Sequence, residues 1–101
     1  MHLIEILLPL ADAVDSPFPE EMFENLAQEL TEAFGGVTAF TRSPAQGRWK
    51  EGGGTEHDDI VVLEVMTEEL DRDWWKSLRL RLMRDFDQDD VVIRCQSIER
   101  L

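Results

Sequence analysis

The stretch Asp58–Met66, read as Asp-Asp-Ile-Val-Val-Leu-Glu-Val-Met, constrains the fold more than any other part of the chain. Ile60, Val61, Val62, Leu63 and Val65 are apolar at both parities of a two-residue repeat, and most are β-branched. That pattern belongs to a strand covered on both faces, near the middle of a sheet. Glu64 interrupts it. A carboxylate in a central strand is costly to desolvate without a partner, so Glu64 is the first candidate for a functional position.

The other elements can be placed around this strand. Leu3–Leu8 reads as a first strand, with Ile4, Ile6 and Leu8 on one face and Leu3, Glu5 and Leu7 on the other. Pro9 has no N–H to continue the ladder. A loop rich in Asp and Pro leads to Pro19, which suits the first helical position, and Glu20 and Glu21 suit the positive end of the helix dipole. Met22, Phe23, Leu26, Leu30, Ala33 and Phe34 recur at three- and four-residue steps, which predicts a helix from Pro19 to Phe34. Gly35-Gly36 ends it. Val37–Arg42 is a second strand. Ser43–Gly47 is a turn, Arg48-Trp49-Lys50 extends a hairpin arm, and Glu51-Gly52-Gly53-Gly54-Thr55 is its tip. The triple glycine opens a strand and lacks the spacing of a phosphate-binding loop. After the central strand, Leu70, Trp74, Trp75, Leu78, Leu82 and Phe86 form the stripe of a second helix. Lys76, Arg79, Arg81 and Arg84 lie on its polar and C-terminal side, as solvated ion pairs rather than an anion site. Val91–Ile98 is the last strand.

The order β-α-β-β-α-β predicts an α+β ferredoxin-like plait. Its antiparallel sheet would run four-one-three-two with both helices on one face. The 101 residues make one domain, 1–101, and 43% hydrophobic content suffices for a core. Parity assigns Ile4, Ile6, Leu8, Val37, Ala39, Val61, Leu63, Val65, Val91, Ile93 and Cys95 to the helix side. The other face carries Leu3, Glu5, Leu7, Thr38, Phe40, Arg42, Ile60, Val62, Glu64, Met66, Val92, Arg94, Gln96 and Ile98. That face is too apolar to stay wet, which predicts an interface or groove and a symmetric homodimer.

Polar residues on the open face form the candidate site. Arg94 would neighbour Glu5, Glu5 would neighbour Glu64, and Arg42 lies on the second strand. Paired carboxylates are one way to make a general acid or base, whereas flanking arginines would neutralise them. Trp49 on the hairpin arm would lid a pocket or clamp a partner subunit. Glu56, His57, Asp58 and Asp59 offer metal-ligand atoms, but consecutive strand residues point to opposite faces and chelate poorly. No metal or cofactor is expected.

Charge and composition narrow the partners. The net charge of −12 excludes nucleic acid and anionic membrane surfaces as natural partners. The opening segment lacks a positive n-region and carries Glu5, and no run reaches the ~20 apolar residues of a membrane span. These features predict a cytoplasmic protein. Cys95 is the one cysteine, so no internal disulfide forms. It is expected to be a small buried hydrophobe, because a nucleophilic role needs a base and the chain offers only His2 and His57.

Phe34-Gly35-Gly36-Val37-Thr38, Gly47-Arg48-Trp49, the acidic run into Ile60-Val61-Val62 and the turn Asp87-Gln88-Asp89-Asp90 together resemble small bacterial ferredoxin-like families of unknown function. The resemblance spans most of the chain. It implies the plait and no activity, and it carries over no catalytic residue. The wider set of dimeric α/β-barrel proteins is similar in outline and includes cofactor-free monooxygenases and lactone isomerases. Their His and Tyr constellations have no counterpart here, where Tyr is absent. The expectation is therefore a homodimeric binding module with a small-molecule groove at the open sheet face. The alternative is a small cofactor-independent enzyme of the dimeric-barrel type with Glu5 or Glu64 as general base.

Overall fold

The computed structural model describes residues 1–42, 47–48, 55–56 and 59–101. The turn 43–46, Trp49, the glycine-rich tip and His57 lie outside the described residues. In chain order the elements are β1 His2–Pro9, α1 Glu20–Phe34, β2 Thr38–Arg42, β3 Gly47–Arg48, β4 Thr55–Glu56, β5 Ile60–Thr67, α2 Arg72–Asp85 and β6 Val92–Ser97.

Four strands form one antiparallel sheet in the order β2-β5-β1-β6, and β3 pairs with β4 as a separate antiparallel arm. This is the expected plait, with the most apolar strands, β1 and β5, in the middle. In β1 the alternation resolves into burial: Ile4, Ile6 and Leu8 are sealed beneath the helices, while Leu3, Glu5 and Leu7 are half-buried on the far side.

Each helix starts and stops for identifiable reasons. Pro19 caps α1 with extended backbone (φ −55°, ψ 136°), one position before the helix it was expected to begin. Gly35 closes α1 at φ 85°, and its N–H donates to the Thr31 carbonyl. Asp71 is the N-cap of α2, accepting from the Trp74 N–H at 3.2 Å. Leu26 and Leu30 of α1 and Trp75, Leu78 and Leu82 of α2 reach the core, joined by Phe86 and Val91. Aromatic contacts tie the two helices together. Phe34 stacks on Trp75 and meets Trp74 edge-on, both at 5.0 Å, and Phe86 packs against Phe18 and Phe23.

Three arginines of α2 find acidic partners, as expected of a chain so rich in Asp and Glu. Arg79 pairs with Asp90, Arg81 with Glu29 and Arg84 with Asp85. Among the described residues no helix is long and apolar enough to cross a membrane.

Two positions on the helix-side face depart from expectation. Cys95 and Ala39 share the parity of the core, yet both are exposed. They sit on β6 and β2, the outer strands, which have a neighbour on one side only. The helices seal the middle of the sheet and leave these edge positions open. Cys95 is therefore a surface thiol, not a buried hydrophobe.

Candidate functional site

The register of the sheet fixes which side chains meet on the face that carries no helix. Phe40 lies opposite Val62, Val62 opposite Leu7, and Leu7 opposite Val92, so one apolar row crosses all four strands. Its centre is closed off, with Val62 fully buried, while its two ends are open, Phe40 being 38% and Val92 47% exposed. Met66, at 49%, extends the apolar surface beside Leu3. Large apolar side chains left in water in register across a sheet mark a surface built for contact.

Directly beside this row runs a polar one. Thr38 lies opposite Glu64, Glu64 opposite Glu5, and Glu5 opposite Arg94. Arg94 Nε donates to Glu5 Oε1 at 3.1 Å. The Glu5 side chain is only 16% exposed. Glu64 is half-buried and has no hydrogen bond or ion pair to any described residue. Among the described residues the guanidinium pairs with Glu5 and not with Glu64, which leaves the Glu64 carboxylate without a counter-charge on an otherwise apolar face. Such a group can bind a cation, or accept a proton from a ligand held over the apolar row.

The register sets the position of Arg42 apart from these residues. It lies opposite Ile60, four residues along β2 from Thr38 and so roughly 13 Å away. On the second strand it is Thr38 that lies beside Glu64. Phe40, Glu5, Glu64 and Arg94 share the face as their parity requires, and Trp49 lies outside the described residues.

A cavity of about 790 Å³ opens at the end of the sheet where β1 stops, a feature that sequence reasoning missed. Pro9, Ile60, Asp12, Asp59 and Asp87 are among its lining residues. The topology held the signal: β1 ends where β5 and β6 begin, so three acidic loops converge. Among the described residues no group of three His, Cys, Asp or Glu side chains is placed to hold a metal ion. Asp12 is already engaged within its own loop, accepting from the N–H groups of Val14 and Ser16.

No family model matches the chain, and no curated protein matches it. Solved structures do. A phage SAM lyase in complex with S-methyl-5′-thioadenosine superposes with a TM-score of 0.66 at 14% identity, over 95% of this chain and 80% of that one. The same kind of enzyme in its apo state gives 0.59 at 16% identity, over 94% and 78%. A point mutant of CutA1 from Pyrococcus horikoshii OT3 gives 0.59 at 16% identity, over 100% and 86%. At these identities the likeness lies in the fold, and the chain is a ferredoxin-like α+β protein.

Proposed function

We propose that this protein is a self-associating binding module whose open sheet face packs against a second copy and leaves a small-molecule groove beside Glu64. The observation that carries the reading is the row Phe40–Val62–Leu7–Val92, unbroken across four strands and exposed at both ends. Covering such a row returns roughly 25 cal/mol for each Å² of apolar surface removed from water. A face that meets its own copy also satisfies the symmetry of a closed dimer. The charge of Glu64, unpaired among the described residues, then gives the groove its polarity and favours a ligand with a cationic or proton-donating group. The phage SAM lyase of the same fold, seen with S-methyl-5′-thioadenosine, supports a ligand of that size on a scaffold this small.

The test is the absolute mass in solution, by light scattering, of the wild type and of Phe40→Asp. The wild type should show twice the 11.7 kDa of one chain, and Phe40→Asp should fall to a single chain with unchanged circular dichroism. A wild-type monomer, or a dimer that Phe40→Asp leaves intact, would remove the sheet face from the assembly.

A further inference from the structure

The pairing of β1 with β6 brings together a thiol and an imidazole from opposite ends of the sequence. His2 lies opposite Ser97 and Ile4 opposite Cys95, so His2 and Cys95 are diagonal neighbours on the helix-side face. The Cys95 Sγ lies 3.7 Å from the His2 Nδ1. The thiol is exposed on the outer strand β6, and the imidazole is half-buried on the neighbouring strand β1. Burial in apolar surroundings makes a cysteine inert, whereas exposure beside a base makes it reactive. This thiol has both features of the second kind. It also faces away from Phe40, Val62 and Glu64, so a partner seated on the open face would leave it accessible.

We propose that Cys95 and His2 form a site for reversible modification by low-molecular-weight disulfides. His2, in the tautomer with its hydrogen on Nε2, takes the thiol proton at Nδ1. The Cys95 sulfur attacks one sulfur of the disulfide. A new S–S bond forms as the old one breaks, and the departing thiolate takes the proton from His2 and leaves as a thiol. Cys95 is oxidised to the disulfide level while half of the reagent is reduced, so the step needs no further oxidant. The chain has no second cysteine to displace the adduct, so the mixed disulfide persists until an external thiol reverses it. His2 acts as a positioning base for this exchange, and the proposal is independent of the dimer and of its groove.

The probe is dithiodipyridine, a neutral aromatic disulfide, because a chain of net charge −12 would slow an anionic reagent for reasons unrelated to His2. Released thiopyridone gives the rate, and intact mass confirms one adduct per chain. Folded wild type should react about tenfold faster than folded His2→Gln, and wild type unfolded in urea should fall to the His2→Gln rate. Circular dichroism of His2→Gln shows that the fold is kept. A His2→Gln rate within about threefold of wild type, or an unfolded chain as fast as the folded one, overturns the proposal.

Discussion

Glu5 sits between an attraction and a repulsion on the same ladder rung. Arg94 donates to it from β6, and Glu64 faces it from β5. Like charges directly opposite on a sheet are unfavourable by a few tenths to about 1 kcal/mol, and a partly exposed ion pair is favourable by a similar amount. The Arg94 side chain is half exposed, which places its contribution at the lower end of that range. Arg94→Met should therefore lower stability by roughly 0.5 kcal/mol, most of it from Glu5 losing its counter-charge opposite Glu64. Glu64→Gln should change the wild type little but recover about 0.5 kcal/mol in the Arg94→Met background. Urea midpoints of the four chains, at constant slope, measure this coupling. Equal effects of Glu64→Gln in both backgrounds would show that the three groups act separately.

At the scale of elements, α1 depends on a single residue to end it. Gly35 stands at φ 85°, and a Cβ there meets nothing within 4 Å, so a side chain would pay only in backbone conformation. Gly35→Ala should cost about 1 kcal/mol by thermal or urea unfolding, whereas Gly36→Ala, without a positive φ and equally free of neighbours, should be near neutral. Matching losses at both glycines would deny Gly35 its capping role. Such elements were legible in the sequence because their signals are local: the helix stripes, the double glycine and the alternation in Ile4, Ile6 and Leu8 each arise within one segment. Parity likewise placed Phe40, Glu5, Glu64 and Arg94 on one face. It could not place Arg42, because sliding β2 by two or four residues keeps every side chain on its face while changing its neighbours. Nor could it foresee that Cys95 would be exposed, since parity says which way a side chain points and not whether a helix extends over it. The cavity near Asp12 and Asp87 was hidden for a related reason. Its walls come from loops that only the sheet order brings together.

For the whole molecule, an excess of twelve negative charges over 101 residues is a standing self-repulsion. It weakens with the Debye length, which shortens from about 30 Å at 0.01 M to about 8 Å at 0.15 M salt. The urea midpoint should therefore rise with sodium chloride across that range, and association of copies should strengthen with it. A falling midpoint would mean that pairs such as Arg79–Asp90 and Arg81–Glu29 outweigh the net charge. The sheet order has a temporal consequence as well. β1 lies between β5 and β6, and its Glu5 meets Arg94 across 89 residues of chain. At ribosomal rates of about 5–20 residues per second, Ile4, Ile6 and Leu8 wait several seconds before either flanking strand exists. Contacts of such long range are formed slowly. During synthesis the apolar face of this inner strand is therefore made well before either strand that flanks it.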